Sequence, residues 1–327
     1  MQCHHDHPPH SFIIDTRDSN YKTYEVFSPA ELDEIKAFEE KKLPIIPTDL
    51  RDYINSFNKN SIQELRSQIF QSQEFDQEYS HKDSHDYDWV RFTIYALLKE
   101  YEFGSLKEEH NEAWYMAHFW HFIDTVFNGE DEITVLSYRT TRKKIGKKCD
   151  MIFAKKSCNH DEVEEYGASE AGKAYDGDQA IKRLEEGFVK LPKCLKDMLD
   201  NILPKCDDNK KLQTINFIHS GLQPYVIRAD RPTKYITRIQ KSRNYHLSSD
   251  ISQFGTIVLP AIYIAWVTKD IVRNTYNIIQ ESNTHNNNSN IQGPEWLTQY
   301  WEESEKEDGP ETSSSQEKIL KKSNNFY

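Results

Sequence analysis

The order in which the hydrophobic period changes between residues 110 and 240 constrains this chain more than any other property of it. Glu112–Phe127 carries Trp114, Phe119, Trp120, Ile123 and Phe127 at spacings that line one broad helical face, and Gly129 ends it. Ile133–Leu136, Asp150–Ala154 and Val163–Glu170 then read as three strands. Asp178–Leu203 reads as a helix, bent or broken near Pro192, and Leu212–Ile218 as a fourth strand. Two shorter strands are expected at Tyr225–Ala229 and Tyr235–Ile239, and a long helix over about 251–280 closes the domain. An α-β-β-β-α-β order with extra C-terminal strands and a helix predicts a single α/β domain over residues 105–280.

The flanks read differently. Residues 28–104 are expected to form a helical extension. Thr48, after Pro47, is placed to cap a helix from Asp49; Ser61-Ile-Gln-Glu64 is a capping-box pattern; Trp89, Phe92, Ile94, Leu97 and Leu98 recur at near-helical spacing. Residues 1–27 begin His-rich and polar and are expected to be disordered, as is the polar tail 281–327 with its Asn286–Asn290 run.

Composition sets limits on function. The chain of 327 residues has a formal charge of −12, and a uniformly acidic surface repels nucleic acid. A nucleic-acid role therefore requires a local basic patch. Aromatic residues at 12% argue against global disorder. Five cysteines in irregular spacing, without C-x-x-C, argue against a disulfide framework and for a reducing compartment. Met1–His10 has no apolar stretch of the secretory kind, and the longest apolar run, Phe254–Val267, is interrupted by Pro260 and short of a bilayer's span, so it reads as a buried helix. The expectation is a nuclear or cytoplasmic protein, neither secreted nor membrane-bound.

Two features carry chemistry. Asp150 opens one expected strand and Glu170 ends the next, so antiparallel pairing would bring their carboxylates together at one end of the sheet, with Glu112 upstream. Adjacent carboxylates repel unless a cation lies between them, and a hard divalent ion such as Mg2+ suits oxygen ligands. The bland alternative is a set of solvated acids at strand ends, in a chain with 53 of them. The second feature is the loop from Arg139 to Lys148, in which Arg139, Arg142, Lys143, Lys144, Lys147 and Lys148 make six basic residues in ten and lead straight into Asp150. Such a loop suits phosphate contact; a solubilising hairpin tip or a nuclear-import patch has the same composition.

The element order, with Asp150 on the second strand and Glu170 on the third, resembles the PD-(D/E)XK nuclease superfamily over roughly residues 110–220. The chain is also similar to fungal proteins that carry such a core, often from lineages rich in mobile elements. The resemblance implies a restriction-endonuclease-like αβββαβ core with a mixed sheet and a metal-dependent nuclease that hydrolyses phosphodiester bonds in DNA or RNA. It implies Mg2+ on Asp150 and Glu170, with Glu112 as a third acid by position only, and a lysine that orients the attacking water. Cys149 stands where the motif has Pro, and Gly172 stands at the lysine slot. Lys173 would reach the site only through a bulge at Gly172, and Lys182 is the fallback.

Three other readings compete. The core could be a catalytically inactive scaffold for nucleic acid or protein, which Gly172 favours. Gly167–Ala174 also fits G-x-x-x-x-G-K, a phosphate loop for NTP, but Ala174 replaces the Ser or Thr and the preceding strand is acidic. Cys3–His7 with His10 could bind a transition metal, though on an end expected to be disordered, where adventitious binding is the plainer reading, and the set Cys149, Cys158 and His160 lacks standard zinc spacing.

Overall fold

The computed structural model describes residues 8–137, 149–156, 163–172, 189–206, 209–243 and 247–289. The fold lies in the compact unit Met1–Ser282; Asn283–Tyr327 forms a second unit. The strands are β1 (Ile13–Asp15), β2 (Ile133–Ser137), β3 (Met151–Lys155), β4 (Glu165–Gly172), β5 (Gln213–Ser220), β6 (Gln223–Asp230) and β7 (Thr237–Lys241). The helices are α1 (Asn20–Thr23), α2 (Pro29–Ala37), α3 (Thr48–Ser56), α4 (Ile62–Ile69), α5 (His81–Phe103), α6 (Glu112–His118), α7 (Phe122–Thr125), α8 (Leu191–Ile202) and α9 (Leu259–Ser289).

Helix starts follow local chemistry. Ser28 and Glu31 satisfy each other's backbone N–H groups in a capping box before Pro29. Ser61 Oγ accepts from Glu64 N, Ser80 Oγ from Asp83 N and Asn111 Oδ1 from Trp114 N. Thr48 is the first helical residue of α3, not its cap; Pro47 holds that position without a side-chain bond. Gly104, at φ 72°, closes α5 in the left-handed conformation that a β-carbon disfavours.

The sheet is mixed, open and seven-stranded, in the order β1-β7-β6-β5-β4-β3-β2. β2, β3 and β4 form an antiparallel meander; β4 and β5 run parallel; β5, β6 and β7 are again antiparallel. Parallel neighbours need a crossover, and α8 lies in the β4–β5 connection. β5 is central and buried along nearly its whole length. Two cores flank the sheet. The larger joins α3–α7 and α9 to Phe153, Tyr166, Ile215, Phe217 and Val226. The smaller packs Leu191, Cys194, Leu195 and Met198 of α8 on Ile152, Ala168, Ile218, Ile227 and Ile239. Successive strand residues face opposite sides, which is how one strand feeds both cores.

Several expectations are corrected. Residues 8–27 are structured, not disordered: β1 pairs parallel with β7, and Ile13 is fully buried. The expected aromatic helix breaks after His118: α6 ends there and a separate short helix begins at Phe122, with Phe119, Trp120, Phe122 and Ile123 all buried. The chain turns there, with Trp120 N bonded to Tyr115 O at 2.8 Å and Trp120 Nε1 to Gly221 O at 2.8 Å. Of the helix expected over Asp178–Leu203, α8 covers Leu191–Ile202, with Pro192 in its first turn, where a missing N–H costs nothing; residues 173–188 lie outside the described residues. α9 continues through Ser289, past the expected boundary at 280; residues 290–327 lie outside the described residues. By length and composition Ile251–Asn283 is apolar enough to cross a bilayer, longer than the run read from the sequence. In the fold its Ile262, Ala265, Trp266 and Ile271 are core residues.

Asp230 and Arg238 form a buried ion pair between β6 and β7. Arg238 Nε donates to Asp230 Oδ1 at 3.0 Å and Nη2 to Oδ2 at 2.6 Å. The same guanidinium donates to the carbonyls of Ile35, Lys36 and Phe38, at the end of α2. One side chain thus caps a helix C-terminus and ties the N-terminal segment to the sheet.

Candidate functional site

The β3–β4 register pairs Met151 with Ser169 and Ile152 with Ala168. One step further along the same register sets Asp150 beside Glu170. Opposed residues of an antiparallel pair point to the same face. That face is the one α8 covers, because Ile152 and Ala168 belong to its core. Extending the register thus brings the two acids that sequence spacing singled out close together at the C-terminal end of β4, and Asp150 hydrogen-bonds the backbone of Ala171 next to Glu170.

Their environments differ. Glu170 is 5% exposed and its Oε1 forms an ion pair with Lys190 Nζ. Lys190 lies immediately before α8, so the start of that helix aims an amine at the carboxylate. Asp150 is half-buried, and its Oδ2 accepts the backbone N–H of Ala171 at 2.7 Å. Beside them Cys149 Sγ lies 3.5 Å from Cys194 Sγ on α8, both buried. The hydrogen bond to Cys194 pushes the Cys149 thiol up first, then burial, then the nearby Glu170 charge, so it stays protonated.

The remaining expected residues separate into two groups. Glu112 opens α6, whose Tyr115 belongs to the core on the sheet's opposite face. Among the described residues no three His, Cys, Asp or Glu side chains cluster to hold a metal, so Glu112 does not join the pair as a third ligand. Lys173, Lys182 and the loop residues Arg139, Arg142, Lys143, Lys144, Lys147 and Lys148 lie outside the described residues, as do Cys3 and Cys158. The expected bulge at Gly172 is absent on the β5 side, where the register runs unbroken to Gly172 and Ser220. The irregularity in β4 falls instead between its pairings with Phe153 and Ala154, at Tyr166. Residues 167–172 form a strand, paired with β5 throughout and with β3 over 167–169, which leaves no phosphate-cradling loop there. Gly167 serves packing: a β-carbon would lie 2.4 Å from Ile215 O of the neighbouring strand.

Sequence reasoning missed Lys190. Its signal is a lysine two residues before a helix-starting proline; which way that helix docks is tertiary information. On the opposite face, Ser169 Oγ and His219 Nε2 lie 3.0 Å apart. His219 is fully enclosed, stacked on Trp120, and burial lowers its pKa to about 3. Both side chains are shut off from solvent, so this is a core hydrogen bond and not a nucleophile with its base. No family model, no curated protein and no solved structure matches the chain.

Proposed function

We propose that this protein is a metal-dependent phosphodiesterase acting on DNA or RNA, built on a restriction-endonuclease-like core. The observation that carries the reading is that Asp150, one step beyond the Met151–Ser169 pair, accepts the N–H of Ala171 next to Glu170, with the Lys190 amine against Glu170. The element order supports it: α6 and α7, three antiparallel strands, α8 and the parallel β5 follow in the αβββαβ sequence.

The donor set fits magnesium, which binds through one or two carboxylates and keeps several waters. Asp150 and Glu170 would hold the ion. A bound ion of this kind lowers the pKa of water and neutralises charge on a phosphate. Lys190 supplies, from α8, the cation that Gly172 cannot supply from the strand. Its placement on Glu170 screens the negative charge of the pair and sets an amine where the scissile phosphate would lie. The basic run from Arg139 to Lys148 precedes Asp150 directly and would hold the nucleic-acid backbone.

One observation favours a second reading, an inactive nuclease-like scaffold for nucleic acid or protein. Lys190 already pairs with Glu170 Oε1, and Asp150 Oδ2 accepts the Ala171 N–H, so each carboxylate has a partner without a metal.

A cleavage assay on single- and double-stranded DNA and RNA, with and without magnesium, separates the two readings. The expected result is magnesium-dependent cleavage that Glu170→Gln reduces by 100-fold or more, roughly the scale of losing a metal ligand. Equal cleavage by both proteins refutes the enzyme. Nucleic-acid binding without cleavage supports the scaffold.

A further inference from the structure

The sheet face opposite the Asp150–Glu170 pair carries a second site, under the N-terminal segment. A cavity of about 520 Å3 opens there, within the size range of small-molecule pockets. Its floor is the β5–β6–β7 surface, where the register places Ile215, Arg228 and Gln240 in a row on one face. One wall is α9, through Tyr263, Ile264 and Val267; the other is the segment that brings Arg17, Leu43 and Pro44 over the sheet.

The charge of the lining is the unusual part. In a chain with net charge −12, this cavity gathers Arg17, Lys36, Arg228 and Arg243 against the single acid Glu40, while Lys241 borders it from the strand with its side chain on the α8 face. Lys241 is paired with Asp15 at 2.6 Å. Arg17, Lys36, Arg228 and Arg243 make no ion pair among the described residues. Arg17 donates to the Ser242 carbonyl at 3.1 Å. The most enclosed of them, Arg228, meets only neutral acceptors: Lys41 O at 3.3 Å, Gln213 Oε1 at 3.4 Å and Gln240 Oε1 at 2.6 Å. Burial pushes its guanidinium below the ordinary value, against the smaller pull of Asp230 and Glu40. A partly buried guanidinium without a carboxylate carries an uncompensated desolvation cost, which an anionic ligand would offset.

We propose that this cavity binds a nucleoside phosphate. The guanidinium groups of Arg228, Arg17 and Arg243 take the phosphate, for which planar forked donors are suited. The apolar wall of Tyr263, Val267, Leu43 and Pro44 takes the base, with Gln240 in reach of its polar edge. The site is separate from the acidic pair, so a mononucleotide here would be an effector of the protein and not its substrate.

Isothermal titration calorimetry of the full chain, free of divalent metal, tests this with ADP, adenosine and inorganic phosphate as probes. ADP is expected to bind at least tenfold more tightly than either fragment. Arg228→Gln and Arg243→Gln are each expected to weaken ADP about tenfold, equivalent to about 1.4 kcal/mol. Arg228 also anchors the Lys41 carbonyl, so its variant could disturb the segment. Arg243 is exposed and makes no such contact, and its variant carries the test with the fold intact. ADP that fails to bind below about 1 mM, or binds equally to Arg243→Gln, overturns the proposal. Adenosine binding as tightly as ADP would mean an apolar slot, and phosphate binding as tightly would mean a bare anion site; either result also overturns it.

Discussion

Replacing Arg238 by methionine tests how the N-terminal segment is held. The change removes a guanidinium that is fully enclosed and leaves Asp230, whose side chain is 6% exposed, charged and without its bidentate partner. Breaking a buried pair from one side costs about 3–5 kcal/mol, because the remaining charge keeps its desolvation penalty. The Ile35, Lys36 and Phe38 carbonyls lose their donor at the same time, so the upper part of that range applies. Against a total stability of about 5–15 kcal/mol this is a large fraction. Urea unfolding followed by tryptophan fluorescence reads it: with a slope of about 3 kcal/mol per molar urea, the midpoint falls by roughly 1.3–1.7 M. Adding Asp230→Asn to Arg238→Met removes the stranded charge and restores about 1–3 kcal/mol, a coupling that independent sites would not show. A midpoint shift under about 0.3 M, or a double variant no more stable than the single, refutes the argument that this pair anchors α2 to the sheet.

Three further outcomes follow from the packing. His219 is neutral in the fold, with a pKa near 3, and titrates near 6.5 when unfolded, so its contribution is complete above pH 6.5 and lost as pH falls towards 3. Unfolding free energies measured from pH 7 to 4.5 should decline by up to about 1.4 kcal/mol per unit from this group, and His219→Phe should flatten that slope; an unchanged slope contradicts the enclosure of the ring. Gly167→Ala should lower stability by about 1–3 kcal/mol, because the new carbon meets the Ile215 carbonyl, which backbone pairing holds in place; a neutral substitution in thermal unfolding would mean that β4 and β5 can spread. Lys190→Met should cost about 1–3 kcal/mol, discounted because the lysine side chain is 28% exposed, and Glu170→Gln in the same chain should recover part of it; no recovery would detach Lys190 from the acid.

The sequence revealed elements whose hydrophobic period is local and long enough to stand out. β2 to β6 lie within a few residues of where the patterning puts them, and α5 follows the spacing of Trp89, Ile94 and Leu97. The Asp150–Glu170 juxtaposition was legible because two neighbouring strands joined by a short connection pair antiparallel, and that alone sets which residues oppose. β1 was not legible: a three-residue strand offers no period, and its pairing with β7 joins distant parts of the chain. The break after His118 was missed because the spacing of Phe119, Trp120 and Ile123 fits one continuous helix, while the bond from Trp120 Nε1 to Gly221 O that accompanies the turn joins distant parts of the chain. Arg238 and Lys190 were invisible for a common reason. A buried cation is recognised by what surrounds it, and patterning treats every Lys or Arg as solvated. The cationic cavity is a stronger case, since its lining comes from the N-terminal segment, three strands and α9.

The parallel pairing of β1 with β7 has a consequence for synthesis. Within this sheet β1 has no seat until β7, more than 200 residues further on, has been made, so its completion waits for all the strands between. Until then β7 would present a row of open amides and carbonyls, the kind of rim on which chains join one another. Proteolytic trimming ahead of Thr16 would return the molecule to that state, making the N-terminal end a guard against polymerisation.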